Sequence, residues 1–324
     1  MIDIIHVNSE LSLSYQWGTI NKVRLHALTV RDSLENIWRM YGCTIVGSAD
    51  GHRRCTVCGE PAYLLGKHPE TTLYRCTSCS HCFSAIDEIV ETYDPSYYEA
   101  AHRRWFETPN IALFERIGNT LDHRSGLRII DIGCGRGHLL RYLESKRPDA
   151  HFLGIDLSPN EDTKRIRYLQ GDFLTTDLGI NYDVVISLAT IEHVVDVQSF
   201  ARRLTELCTP GGQVIVMTVN ESSLLYGLAR NLKMVGFPIA FDRLYSAHHI
   251  NHFTVKSLRR LVEQTGLGVE RSYIHNAPIA SIDIPLTHSS VLNVCLRAAM
   301  LGICVLGDLT GSAYLQTIFC RRAT

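Results

Sequence analysis

Ile129-Ile130-Asp131-Ile132-Gly133-Cys134-Gly135-Arg136-Gly137 decides the fold of this chain. A short apolar run breaks into a glycine-rich turn, and the residues that follow, roughly 137–145, read as a helix. Glycine has no side chain to block a ligand and tolerates unusual dihedrals, so the backbone of the turn can come close to whatever it binds. The helix then aims its unpaired N–H groups at the same place. This is the nucleotide-binding geometry of an open α/β sheet, in which ligands sit beyond the carboxyl ends of the strands.

The glycine spacing narrows the ligand. A dinucleotide fingerprint places glycine first, third and sixth in the turn. Here the sixth position is His138, the glycines stand first, third and fifth, and Asp131 precedes them by two. Working outward, His151-Phe152-Leu153-Gly154-Ile155-Asp156 reads as a second strand ending in an acid about 25 residues beyond Asp131, near the spacing of a ribose-binding carboxylate. Tyr168-Leu169-Gln170-Gly171-Asp172-Phe173 reads as a third strand closing on an acid and an aromatic. Tyr182 to Leu188 is a continuous apolar run of the kind a buried parallel strand shows. Ala189-Thr190-Ile191-Glu192-His193-Val194 follows it, and later comes Leu207-Cys208-Thr209-Pro210-Gly211-Gly212-Gln213-Val214-Ile215-Val216.

In this order the segments resemble class I S-adenosylmethionine (SAM)-dependent methyltransferases, from about Arg128 to the C-terminus. The matches are the glycine turn, the acids ending strands two and three, the acid–histidine pair after strand four, and the Pro-Gly-Gly junction before strand five. The resemblance implies an α/β fold with a seven-stranded, mostly parallel Rossmann-like sheet whose last strand, about Tyr314 to Cys320, is antiparallel. It implies that Asp156 takes the ribose hydroxyls and Asp172 the adenine amino group. The expected cofactor-binding residues are Asp131, Gly133, Cys134, Gly135, Asp156, Leu157, Asp172, Phe173 and Leu188. Cys134 is expected to pack rather than react.

Cys55-Thr-Val-Cys58 and Cys76-Thr-Ser-Cys79 are two cysteine pairs separated by seventeen residues. That spacing fits a four-thiolate zinc site, closed and structural. Cys82 offers an alternative fourth ligand; Cys79 repeats the spacing of the first pair and is preferred. A disulfide or redox pair is the rival reading. The chain begins Met1-Ile2-Asp3-Ile4, without a basic leader or signal-peptide core, which points to a cytoplasmic setting where thiols stay reduced and metal is favoured.

At 324 residues the chain exceeds the usual single domain. The expected division is an N-terminal arm (1–50, with an amphipathic piece at Val30 to Met40), a zinc ribbon (51–86), linker and lid helices (87–126) and the SAM-binding domain (127–324). A formal net charge of −1 gives no basic footprint for nucleic acid. Val291 to Gly307 is strongly apolar but short for a span and carries Arg297. A buried helix is expected there, with an interfacial helix on a membrane as the lesser alternative. Tyr97 and Tyr98 lie in a segment that resembles the lid of zinc-ribbon methyltransferases from bacterial sugar, polysaccharide and secondary-metabolite pathways; pinning the ribbon to the main domain is an equal alternative.

Methyl transfer to a hydroxyl needs a nucleophile aligned within near-attack distance and a base tuned near neutrality, a task histidine suits. His193, beside Glu192, is one candidate. The other is Tyr245-Ser246-Ala247-His248-His249-Ile250-Asn251-His252-Phe253-Thr254, which resembles the His-x-x-x-Phe-Ser/Thr stretch of sugar methyltransferases. There His249 matches the base-like histidine, and His248 replaces a glutamate of the C-methylating members. His193 has capping or packing as its plainer reading, as does His252. A related quinone O-methyltransferase group uses an extra acid for a divalent metal where this chain has Ala189, so no catalytic metal is expected. The reading is a SAM-dependent methyltransferase with SAM and structural Zn2+, acting on a small molecule or glycan, most often a sugar or polysaccharide hydroxyl. The rivals are a ribosomal RNA methyltransferase with a zinc module and a non-catalytic binding module that keeps the SAM fold as scaffold.

Overall fold

Tyr182–Leu188 is a strand covered on both faces, with Val185 in one hydrophobic core and Val184 and Ile186 in the other. Both faces of a parallel strand are apolar when helices cover both sides of its sheet. The structure is a computed structural model that describes residues 4–7, 10–13, 53–85, 103–179, 181–282 and 289–324. It comprises two compact units, Met1–Gly51 and His52–Thr324. In the first, strands β1 (Ile4–Val7) and β2 (Glu10–Leu13) form an antiparallel hairpin that pairs Ile4 with Leu13. Val30 to Met40 lies outside the described residues, as do Tyr97 and Tyr98.

The second unit begins with the cysteine ribbon, whose strands are β3 (Ala62–Lys67), β4 (Thr72–Cys76) and β5 (Cys82–Ser84). Helices α1 (Arg103–Glu107) and α2 (Ile111–Gly118) lead to the main sheet. Its first five strands are β6 (Arg128–Ile132), β7 (His151–Asp156), β8 (Ile166–Gln170), β9 (Tyr182–Leu188) and β10 (Cys208–Val219). Between them run α3 (His138–Lys146) and α4 (Val197–Leu207). Then come α5 (Leu224–Met234), α6 (Ile239–Leu244), the two-residue strand β11 (Asn251–His252), α7 (Val255–Glu263), β12 (Leu267–His275), α8 (Ser290–Thr310) and β13 (Leu315–Arg322).

The sheet order is β12-β13-β10-β9-β6-β7-β8, with β8, β7, β6, β9 and β10 paired in parallel. β13 is antiparallel to both neighbours, as the resemblance implied. The chain steps outward from β6 to β8 and then returns to the other side at β9, so the crevice between β6 and β9 is where a ligand belongs. Phe200, Leu204, Leu258 and Leu261, from α4 and α7, cover one face; Leu113, Ile117, Leu140 and Leu143, from α2 and α3, cover the other. α7 starts at a reciprocal cap, in which Thr254 Oγ1 accepts from Ser257 N at 3.1 Å and Ser257 Oγ accepts from Thr254 N at 2.9 Å.

The ribbon continues into the main domain. Its sheet runs β11-β5-β4-β3, so a strand of the methyltransferase half forms its edge. Lys256 donates to Ser78 O at 2.6 Å and Gln198 to Val57 O at 2.5 Å, tying the ribbon to α7 and α4. Beneath it, Glu221 is fully buried between Arg75 of the ribbon and Arg230 of α5, and accepts from Tyr245 at 2.7 Å.

One expectation fails. The helix over the apolar segment 291–307 forms, as α8, but it buries only Cys304 and Gly307, while Val291, Val294 and Leu309 are exposed. Among the described residues it is the one helix long and apolar enough to cross a membrane, by length and composition. Its apolar side chains run round the whole circumference, so packing of one face on α5 and β12 leaves the others uncovered.

Candidate active site

A cleft of about 630 Å3 opens at the carboxyl ends of the parallel strands. Gly133, Gly135, Asp156, Leu157, Asp172, Phe173 and Leu188 line it, as do His193 and His249. Asp131 and Cys134 line a smaller adjoining cavity that shares Gly133, Gly135 and Leu188 with it. Every residue expected at the cofactor and acceptor sites therefore borders one of two connected spaces.

The turn after β6 is shaped by what packs on it. Gly133 has φ +70°, and a Cβ there would lie 2.2 Å from Thr190 Oγ1, a hydroxyl that itself donates to Ile132 O at 3.2 Å. Any side chain at 133 would push strand four's loop away from the cleft. Gly137 (φ +69°) is similarly covered by Tyr168 and caps α3, which begins at His138, one residue later than expected. Gly135 N and Ser158 N donate to the two oxygens of Asp156 at 2.8 and 2.9 Å, which fixes the plane of that carboxylate at the end of β7. Leu157 beside it is half exposed, an apolar surface suited to a base.

Asp131 is buried, and its Oδ1 has no hydrogen-bond partner among the described residues. Burial first, and then the neighbouring charge of Asp156, push its carboxyl up to about 8. A cationic ligand beside it would relieve both effects. SAM carries a sulfonium and an ammonium charge, so the donor set fits: two carboxylates, an open glycine turn and an apolar ledge. Cys134 is buried and its thiol is held protonated by burial, so it packs. Phe173 stands edge-on to Phe200 at 4.9 Å and presents only a small part of its ring to the cleft.

The other half of the cleft is formed by segments around β9, β10 and β13. His193 and His249 meet there with ring centroids 4.9 Å apart, and one ligand atom each of Glu192, His193 and His249 lie within 4.8 Å of one another. His193 Nδ1 lies 2.6 Å from the carbonyl of His248. A carbonyl only accepts, so Nδ1 carries the proton and the lone pair of the neutral ring is on Nε2. Glu192 is buried, accepts from Thr218 Oγ1 at 2.8 Å, and is pushed up to about 7 by burial. His248 turns its side chain to solvent. His252 is fully buried, 3.2 Å from Tyr226 Oη, and burial lowers it to about 3, so it packs. Trp105, Arg243, Ser246 and Tyr314 also line the cleft. Sequence reasoning missed them, since they belong to no motif and lie on separate loops and helices.

The cysteines assemble elsewhere. The ligand atoms of Cys55, Cys58, Cys76 and Cys79 lie within 4.8 Å of one another, with Cys55–Cys79 and Cys58–Cys76 sulfur separations of 3.6 and 3.5 Å. A tetrahedron of thiolates at ~2.3 Å from zinc has edges of about 3.8 Å, so the four sulfurs fit that ion closely. Cys76 Sγ accepts from Ser78 N at 3.3 Å and Cys79 N at 3.4 Å. The hydrogen bond shared by Cys55 and Cys79 lowers the Cys79 thiol and raises that of Cys55, so the proton rests on Cys55. Cys82 is not in the cluster; it is buried on the far side of its strand near Arg75 and Glu221.

The sheet order, the glycine turn and the strand-end acids define a class I SAM-dependent methyltransferase. The chain belongs to the methyltransferase domain family, whose model matches residues 98–272. It is similar to the ubiquinone biosynthesis O-methyltransferase of Azorhizobium caulinodans, 39% identical over 115 residues that make up 32% of this chain and 45% of that protein. The protein of the same name from Brucella anthropi is 35% identical over 129 residues, 36% of this chain and 51% of that one. The chain thus spans about half the length of the curated relatives it matches. A chain from the complex between the Haloferax volcanii Trm112 methyltransferase activator and its methyltransferase shares the fold, with a TM-score of 0.51 and 16% identity over 72% of this chain and all of that one.

Proposed function

We propose that the protein methylates a hydroxyl on an aromatic small molecule, with the His193–His249 pair taking up the hydroxyl proton. The observation that carries this reading is the meeting of the two histidines and Glu192 at the end of the cofactor cleft. SAM supplies an electrophilic methyl on a positively charged sulfur. Asp131, Gly133, Gly135, Asp156, Leu157 and Asp172 bind and orient it. His193, its Nδ1–H directed at the His248 carbonyl, offers Nε2 to the acceptor proton. Glu192, poised near 7, stabilises the imidazolium that results.

The acceptor class follows from the wall. Trp105, Val194 and Val195 give this half of the cleft an apolar strip, beside polar side chains that include Glu192, His193, Arg243, Ser246 and His249. The apolar strip offers the hydroxyls of a saccharide no partners, at about 1–3 kcal/mol for each one buried against it. A flat aromatic ring would lose little. The matched relatives are named for O-methylation in ubiquinone biosynthesis, which favours the same class, while sugar specificity rests on the sequence resemblance alone.

Zinc-loaded protein incubated with labelled SAM and two acceptor panels tests this: catechols and hydroxybenzoates on one side, free and nucleotide-linked sugars on the other. Label is expected on the phenolic panel. Transfer to sugars alone would overturn the reading.

A further inference from the structure

The mechanism above uses the ends of the main sheet and leaves the cysteine ribbon without a task, yet the ribbon reaches both histidine segments. β11 pairs antiparallel with β5, Asn251 opposite Phe83 and His252 opposite Cys82. Ser84 N also donates to Ile250 O at 2.9 Å. The backbone that follows His249 is therefore an edge strand of the ribbon. The side chain of Asn251 is fully buried and extends the link to the other histidine. Its Nδ2 donates to the carbonyl of Val194, next to His193, at 2.7 Å. Because that carbonyl only accepts, the amide must face it with its nitrogen, and Oδ1 must face the ribbon. There Oδ1 accepts from Nε2 of His81 at 3.1 Å and lies 3.5 Å from Thr56 Oγ1. One buried amide thus joins both cysteine turns of the ribbon to the loop that carries His193, while its own backbone fixes the loop that carries His249.

We propose that the cysteine ribbon is the positioning frame for the two cleft histidines, and that Asn251 is the positioning residue through which it acts. This rests on the functional reading above only for its effect on turnover. The His193–His248 hydrogen bond spans the two loops that Asn251 holds together, so it is the contact expected to fail when the amide is removed. Among the described residues the Asn251 side chain bonds to Val194, His81 and Thr56, none of them on β6 to β8, so the adenosine side of the cleft should not respond.

The test uses the full-length, zinc-loaded protein with isotope-labelled histidine. Nitrogen–proton correlation spectra report the tautomer of each imidazole, and calorimetry reports the affinity for S-adenosylhomocysteine. In the wild type, His193 should show the Nδ1–H pattern. In Asn251→Ala that pattern should be lost, with affinity for S-adenosylhomocysteine unchanged within about twofold, the additivity expected of sites without shared partners. Gln198→Ala removes a different ribbon contact and should keep the pattern. If Asn251→Ala does not fold, Asn251→Leu is measured in its place, since it keeps the branched shape and carries no donor for Val194. A retained His193 pattern in a folded variant overturns the proposal, as does a loss of the pattern that comes with a large fall in nucleoside affinity. With an accepted substrate, Asn251→Ala should lower kcat by about a hundredfold, the cost of an ångström-scale misplacement, at unchanged KM for SAM. If neither acceptor panel is methylated the functional reading fails, and the tautomer result still decides this one.

Discussion

In the ribbon, four sulfurs from two turns of neighbouring chain lie within 4.8 Å of one another, three of them on buried cysteines, with two backbone N–H groups aimed at Cys76 Sγ. In the acceptor half of the cleft, Glu192, His193 and His249 are as close, but they come from loops 55 residues apart, counting from His193 to the His248 carbonyl it meets. The ribbon is a local device that a metal can close by itself. The acceptor site is a remote device that holds only while larger elements hold. The two regions meet at Asn251 and at the buried Arg75–Glu221–Arg230 group, so the remote device leans on the local one.

The largest expected effect breaks the local device. Structural zinc contributes about 10–16 kcal/mol in small zinc-folded peptides, so Cys76→Ser/Cys79→Ser should lose its metal and melt the ribbon, whereas the parent protein should contain about one equivalent of zinc. Elemental analysis with circular dichroism reads both, and zinc retained in the double variant would contradict the ligand set.

Next in size is the acceptor pair. A positioned base contributes about a hundred- to ten-thousand-fold in rate. His193→Ala and His249→Ala should each lower turnover on an accepted phenol by a factor in that range while SAM binding persists. Unequal losses would tell which imidazole takes the proton, and no loss in either would remove the pair from the chemistry.

The junction sharpens the comparison. Removing one partner of a buried ion pair costs about 3–5 kcal/mol; Glu221→Ala leaves two part-buried guanidinium groups facing each other, so the cost should lie towards the lower end of that range. Urea unfolding should register that loss; a change within experimental error would mean that ribbon and main domain are less coupled than the buried group implies. On the cofactor side, Asp156→Ala should weaken SAM binding by about 1.5–3 kcal/mol, read by calorimetry.

The smallest effect is a pH slope. Asp131 is pushed up to about 8 and Glu192 to about 7, so the ligand-free fold holds protons that the unfolded chain has already released. Below about 6.5 the buried His81, His252 and His275, held neutral by burial, oppose this slope, so the fall in stability with rising pH lies between about 6.5 and 8. Thermal melts between those limits should decline, and Asp131→Asn should flatten the decline. A melt temperature that rises over this range would show that these carboxyls are not the dominant groups.

The cofactor half was legible because its residues lie in contiguous strand–turn segments. Asp131, Gly133 and Gly135 occupy one turn, and Asp156 and Asp172 end or follow the next two strands. The cysteine set was legible for the same reason, down to the choice of Cys79 over Cys82. The apolar helix was read correctly as a helix and wrongly as buried, since composition reports that a helix is apolar and not whether anything covers it.

By itself the sequence determined the parallel sheet with its antiparallel last strand, the glycine turn, the strand-end acids and the paired cysteines. Each follows from residues close together in the chain, where backbone geometry turns spacing directly into position. Only the tertiary structure decided that His193 and His249 touch, that Glu192 is buried beside them, that Trp105 and Arg243 line the cleft, and that two residues of the main domain complete the ribbon's sheet. Those contacts depend on which strands lie side by side and on loops crossing between them, and no local periodicity records either.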